Sequence, residues 1–180
     1  FDGFTPDSEA GHFVAGILAH ARELTAFCNP VPNSYARLGA NEAPLYVSWS
    51  RQNRSQLVRL PSAVGDLCRV ELRCPDPAGN PYLVIGLILA AGLDGIERNL
   101  PLPDAVNRNL FCPGAAQGLE SLPRTLREAI TVAAQSEFIS QELPTALQSK
   151  YFEYQTLLCH DFESATDPAA WNRQHGFLIL

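Results

Sequence analysis

The sequence predicts an α+β fold, and three observations carry that expectation. Residues 7–27 place apolar side chains at helical spacing; residues 45–50, 56–60 and 69–74 form three short alternating or β-branched runs; and "YLVIGLILAAGLDGI" follows Asn80-Pro81 as one apolar helical stretch. A chain of 180 residues, 46% of them hydrophobic, can bury a core as one domain or as a large part of one.

In order along the chain, Asp7 or Ser8 can cap a first helix that runs to about residue 27, with Phe13, Val14, Ile17, Leu18 and Leu24 near helical spacing. His12 and His20 lie on it eight residues apart. Helical metal pairs sit closer together and beside a carboxylate, so ordinary packing is the expected role for both. The prolines, asparagines and glycine of "NPVPNSYARLGANEAP" forbid a long regular element and predict an ordered loop. After the three strands, Asn80 caps a helix with Pro81 in its first turn. Its body is apolar on nearly every side, which predicts burial. Residues 98–121 hold Pro101, Pro103, Pro113 and Gly118 and read as a long irregular loop. Helices are expected at 122–142 and 145–163, the second with Leu147, Tyr151, Tyr154 and Leu158 along one stripe. The tail "WNRQHGFLIL" ends apolar and is expected to pack on the body or on a neighbouring subunit. The sequence shows no internal repeat and no low-complexity segment.

Charge is more informative in its distribution than in its sum. The formal net charge is -6, yet among 13 Lys+Arg only Lys150 is a lysine, and six arginines fall between Arg37 and Arg73. Such concentration in an acidic chain favours a compact site for phosphate or carboxylate over an extended nucleic-acid surface, so no nucleic-acid partner is expected. The longest apolar run, 82–93, is shorter than the roughly 20 residues a spanning helix needs, so a membrane role is not expected. Five widely spaced cysteines without a CxxC pair read as reduced, mostly buried thiols of a cytoplasmic protein. The chain begins at Phe1 without an initiator methionine, as expected for a piece of a longer chain.

The stretch "CRVELRCPDPAGNPYL" carries the sharpest local signal. Residues two apart on a strand share a face, so Arg69, Glu71 and Arg73 line one side over roughly 13 Å, while Val70, Leu72 and Cys74 face the core. Two guanidinium groups flanking a carboxylate can hold a metal ion and a bidentate anion together. The same row can equally be a solvated ion-pair ladder on an exposed sheet face.

In order and near-matching spacing, "NPVPNSYARL", "EAP", "SWSRQNRS", "VRLP", "RVELRCPDPAGNPYL" and "AAGLDGIE" resemble the C-terminal part of the catalytic domain of bacterial-type glutamine synthetase. The resemblance covers roughly the first hundred residues and is loose after about Phe111. It implies a partial domain of antiparallel strands packed with helices: a motif-rich core over 1–100, the loop 98–121 and a helical region over 122–180. The implied activity is a cytoplasmic glutamate-ammonia ligase, which uses ATP and Mg²⁺ or Mn²⁺ to make a γ-glutamyl phosphate that ammonia attacks. In the whole protein the implied assembly is a homo-oligomer, a dodecamer of two stacked hexameric rings.

Residue by residue, the resemblance implies that Arg37 and Arg73 bind glutamate, Arg73 also holding the phosphoryl group in transfer. Glu42 matches the flap glutamate that closes the site and takes a proton from ammonium. Arg54 and Arg59 match contacts to ATP phosphates, Arg69 sits at a neighbouring nucleotide-facing or structural arginine, and Glu71 matches a metal ligand. Arg51 and Asp76 read as supporting ion-pair residues. The other metal ligands of the family precede this segment, so the isolated chain is expected to be inactive. Relatives of the same family include γ-glutamyl-polyamine synthetases, and a catalytically silent scaffold or binding module is a further alternative. Three departures stand out. The segment between Arg37 and Glu42 is one residue shorter than the usual "RLVPGYEAP" form. Leu67 stands where many bacterial members have a basic residue. "NRNLFCP" places Phe111 where enterobacterial members carry an adenylylated tyrosine, so no adenylylation is expected there.

Overall fold

A broken helix opens the fold. In the computed structural model, which describes residues 4–40, 42–62 and 65–175, α1 (Glu9–Ala19) begins where the Ser8 side chain accepts from the Gly11 amide. The single helix expected over 7–27 is interrupted at His20, whose backbone (φ -98°, ψ 4°) leaves the helical region before α2 (Ala21–Cys28) resumes. The cause lies in the side chain. The His20 ring is held by Glu23 on one nitrogen and Asp94 on the other, and it stacks on Phe138 at 3.9 Å. The break lets α1 pack against one helix, α4, and α2 against another, α5.

After a loop and the single turn α3 (Ser34–Arg37), three strands form a small sheet in the order β1 (Trp49–Ser50), β2 (Val58–Arg59), β3 (Glu71–Leu72). The α+β class holds, and the strands are shorter than the expected runs. The sheet is also mixed: β2 and β3 are antiparallel, whereas β1 and β2 run parallel. Pairing over two residues is brief enough for the short 51–57 connection to bring a parallel neighbour alongside, where a longer parallel ladder would need a crossover.

Asn80 caps α4 (Pro81–Glu97), its side-chain oxygen accepting from the Tyr82 and Leu83 amides, with Pro81 in the first turn. Helix α4 lies across α1 at two glycines. A Cβ on Gly16 would stand 2.0 Å from the Ala91 carbonyl oxygen, and one on Gly95 would stand 2.2 Å from that of His12, so only glycine permits this backbone approach. The expectation that α4 is buried all round is corrected. Leu87, Ala91, Gly92 and Gly95 are buried, but Tyr82, Ile85, Leu89 and Leu93 are 88%, 57%, 51% and 53% exposed. Their spacing of three, four and four residues places them on one face, and among the described residues that face lies open.

Residues 98–121 are irregular, as expected. The helix expected over 122–142 is two helices, α5 (Leu126–Ala134) and α6 (Glu137–Glu142). Ser136 divides them because its hydroxyl accepts from the Ile139 amide and starts a new helix. Helix α7 (Thr145–Glu163) spans the expected range. Along its expected stripe Tyr151 and Leu158 pack on the core, whereas Leu147 and Tyr154 are exposed. Tyr151 stacks on Phe27 at 4.6 Å and donates to the Ala26 carbonyl at 2.9 Å. In α8 (Pro168–His175), Trp171 packs edge-on against Phe162; residues 176–180, the apolar end of the tail, lie outside the described residues. The core gathers Val14, Ile17, Leu24, Phe27, Leu57, Leu122, Leu126 and Ile139 between the first helices, the sheet and α5. Cys28, Cys74 and Cys159 are buried thiols.

Candidate functional site

Register decides the site. Antiparallel pairing sets Arg59 of β2 opposite Glu71 of β3, so these two side chains meet on one face of the sheet. Arg59 Nη1 donates to Glu71 Oε2 at 2.8 Å, and Arg69, two residues back on the same face, donates from Nε to Oε1 at 2.9 Å. Burial pushes the Glu71 carboxyl up, but Arg69 and Arg59 outweigh it and hold the group below the usual carboxylate range. Val70 and Leu72 pack on the core from the opposite side and Cys74 is buried, as the alternation requires.

Arg73 continues the row. Its side chain is largely buried, and the loss of water there holds its guanidinium below the ordinary value against the opposing pull of Glu42. It remains a cation, since arginine keeps its proton in proteins. Glu42 stands over it, with Oε2 4.0 Å from Arg73 Nη2 and 3.7 Å from Arg54 Nη1. The turn that carries Glu42 is tied at its base. The Gly39 amide donates to the Ala43 carbonyl, the Ala43 amide donates to the Ala40 carbonyl, and Glu42 sits at φ 62°, a left-handed backbone that non-glycine residues adopt at a cost.

The structure therefore brings together Glu42, Arg54, Arg59, Arg69, Glu71 and Arg73. Four guanidinium groups face two carboxylates, which leaves positive charge uncompensated. Arg73 Nη1 and Arg59 Nε are buried and have no acceptor among the described residues. Buried guanidinium nitrogens without acceptors are costly, and an anion supplying oxygen acceptors would satisfy them. The donor set suits an anion better than a metal ion. Both Glu71 oxygens already accept from arginine, and among the described residues no three His, Cys, Asp or Glu side chains gather into a metal set. A divalent cation would find one carboxylate here and would need its other ligands from elsewhere.

Arg37 is not drawn into this cluster. Its Nε donates to Asp76 at 3.1 Å, and its Nη2 donates to Asn29 at 2.8 Å and also to the Cys74 carbonyl. It therefore braces the backbone beside Arg73. Arg51 donates to the Phe4 carbonyl at 3.2 Å and lies over the Phe4 ring. Leu67 is exposed at the end of a short turn. Phe111 lines a cavity of about 710 Å³ with Leu38, Tyr46, Leu110 and Arg124, apart from the arginine cluster.

Sequence reasoning missed the residues that tie the long loop to the sheet. Ser55 Oγ accepts from the Leu110 amide at 2.9 Å, Gln56 Nε2 donates to the Arg108 carbonyl at 2.9 Å, and Trp49 Nε1 donates to the Pro103 carbonyl at 2.6 Å. Their signal is a hydrogen-bonding group on a buried side chain, which no periodicity reveals.

The family model described as "Glutamine synthetase, catalytic domain" matches residues 4–174. The chain is 40% identical over 186 residues to a glutamine synthetase of Methanosarcina mazei, covering 99% of this chain and 42% of that protein. It is 40% identical over 165 residues to one of Staphylococcus aureus, covering 86% and 37% respectively. Among solved structures, "GmaS/ADP complex-Conformation 1" superposes with a TM-score of 0.81 at 32% identity, over 96% of this chain and 41% of that one. "Apo GmaS without ligand" gives 0.80 at 34% identity, over 96% and 38%. The chain thus spans about two fifths of the length of the relatives it matches.

Proposed function

Because this chain belongs to the glutamine synthetase catalytic-domain family, we propose that it supplies the phosphate-binding part of the active site of an ATP-dependent ligase that forms glutamine from glutamate and ammonia. One observation carries the reading: Glu42 stands over Arg54 and Arg73, next to the Arg59–Glu71–Arg69 row, with two buried guanidinium nitrogens lacking acceptors among the described residues. Phosphoryl transfer from ATP to the glutamate γ-carboxylate spreads charge over the transferring phosphate oxygens, and aimed guanidinium donors stabilise that charge in place. Arg54, Arg59 and Arg69 take the nucleotide phosphates. Arg73 takes the phosphoryl group and the substrate carboxylate.

In the second step ammonia attacks the acyl carbon and phosphate leaves. Glu42, exposed on its turn beside two arginines, closes over the site and accepts the proton lost from nitrogen. The glutamate role of Arg37 requires its guanidinium to exchange the Cys74 carbonyl for a substrate carboxylate. With Mg²⁺ or Mn²⁺ bound, Glu71 would give up an arginine hydrogen bond to supply one oxygen ligand, and the ion would neutralise phosphate charge. The ADP named with one structural relative supports nucleotide binding, and the name of the 40%-identical relatives supports ammonia as the amine.

The test is a chimera in which these residues replace the matched segment of the Methanosarcina mazei enzyme. It should form glutamine with ATP and ammonia, and Glu42→Ala should remove turnover while ATP binding persists. An assembled chimera that binds nucleotide yet makes no glutamine would establish a silent scaffold instead.

A further inference from the structure

We propose that Ser55 and Gln56 are positioning residues for the nucleotide: they latch the turn that carries Arg54 to the 98–121 loop and so hold Arg54 beside Glu42. This inference rests on the function proposed above. Arg54 does not fix its own position. Its side chain is 61% exposed and its ion pair with Glu42 spans 3.7 Å. A long exposed side chain held this loosely keeps much of its rotamer freedom, so the place of its charge is set by the backbone beneath it. That backbone is fastened on both sides of Arg54. The Ser50 hydroxyl accepts from the Asn53 amide at 3.1 Å, and the Asn53 side-chain oxygen accepts from the Ser55 amide at 3.0 Å and from the Ser55 hydroxyl at 2.9 Å. The turn is then joined to the long loop. Ser55 Oγ accepts from the Leu110 amide and Gln56 Nε2 donates to the Arg108 carbonyl, both at 2.9 Å, while Asn53 Nδ2 donates to the Asn107 carbonyl at 3.2 Å.

The other attachments of the loop connect this latch to Glu42. At the start of the loop the Val106 amide donates to the Trp49 carbonyl and Trp49 Nε1 donates to the Pro103 carbonyl. At its end the Val47 amide donates to the Glu120 carbonyl and the Leu122 amide donates to the Leu45 carbonyl. The loop therefore runs as a brace from the foot of the Glu42 turn to the Arg54 turn, and it sets the separation between the two side chains. Ser55 and Gln56 close the brace from inside, 2% and 0% exposed. Water does not reach such groups to replace a lost bond, so removing either side chain leaves the turn unlatched. A network that only stabilised the loop would alter the handling of every substrate alike. One that aims Arg54 acts on the nucleotide, and it acts through the Arg54 guanidinium.

The experiment is a double-mutant cycle in the chimera described above, with MgATP binding measured by calorimetry and KM and kcat by steady-state assay. Ser55→Ala and Gln56→Met, the second keeping the buried volume so that folding is spared, should each weaken MgATP binding about tenfold. KM for ATP should rise in step, while kcat and KM for glutamate stay within about threefold. In an Arg54→Ala background the same substitutions should change MgATP binding less than about twofold, because the group they aim is gone. Equal losses with and without Arg54, unchanged MgATP binding, or parallel rises in KM for ATP and glutamate would each overturn the proposal. The binding cycle stands apart from turnover. If it behaves as expected while no glutamine forms, the ligase reading fails and the positioning role remains; a chimera that binds no nucleotide would overturn both.

Discussion

Arg37 and Arg73 are both arginines next to the same strand end, yet their partners differ. Arg73 is largely buried with Nη1 lacking an acceptor among the described residues, whereas Arg37 spends its donors on Asp76, Asn29 and the Cys74 carbonyl. Removing an unsatisfied buried cation relieves as much as it loses, so Arg73→Ala should change stability by no more than about 1 kcal/mol. Removing Arg37 strands a half-buried carboxylate and a carbonyl, so Arg37→Ala should cost about 2–4 kcal/mol. Urea denaturation of both variants measures the difference, and the reverse order would show that the hydrogen-bond pattern does not set their roles. In the chimera, Arg73→Ala should lower kcat at least about a hundredfold, the scale on which a removed donor to a developing anion acts. The alternation of Arg69, Glu71 and Arg73 was legible because strand geometry has a period of two. The bracing of Arg37 was not, because it depends on Asp76 returning from 39 residues away.

At the scale of elements, the joint between α1, α2 and α4 turns on His20. Burial alone would lower its pKa, but the hydrogen bonds its ring donates to Glu23 and Asp94 outweigh that and raise it above 6.5. A raised folded-state pKa stabilises fully below about pH 6.5, and the contribution is lost as pH rises through the folded value. For Asp94, burial pulls upward while His20 and Arg98 hold the carboxyl below 3.8, so its contribution is present above that pH and is lost as pH falls through the lower folded value. The joint is therefore strongest between about pH 3.8 and 6.5. The stability advantage of wild type over His20→Ala should shrink between pH 6.5 and 8.5 in urea denaturation, and a constant advantage would rule the mechanism out. The α1–α4 crossing makes a second prediction. With 2.2 Å between a Cβ on Gly95 and the His12 carbonyl oxygen, Gly95→Ala should cost about 2–3 kcal/mol by forcing the helices apart, read as a lowered Tm. A neutral result would mean that the crossing is looser than described.

For the whole molecule, the arginines proposed to bind phosphate, one carboxylate proposed as a metal ligand and the Glu42 turn are present, while one face of α4 lies open among the described residues. Catalysis by separate groups depends on one shared geometry, and losing several groups together removes most of its effect. The isolated 180 residues should fold around the α1–α4 and α2–α5 contacts and yet form no glutamine, with nucleotide binding weak and dependent on Arg54 and Arg59. An ATP- and ammonia-dependent glutamine assay beside the chimera checks this, and turnover near the chimera's rate would refute it. By itself the sequence determined the family, the α+β class, the Asn80-Pro81 helix start, the extent of α7 and the alternating face of β3, because each rests on local periodicity, capping or an ordered set of motifs. Only the tertiary structure decided that the first helix breaks at His20, that β1 joins the sheet in parallel, that Arg37 turns away from the cluster and that α4 is covered on one face. Each of these depends on a partner remote in sequence, and side-chain periodicity records that an apolar or charged face exists without recording what meets it.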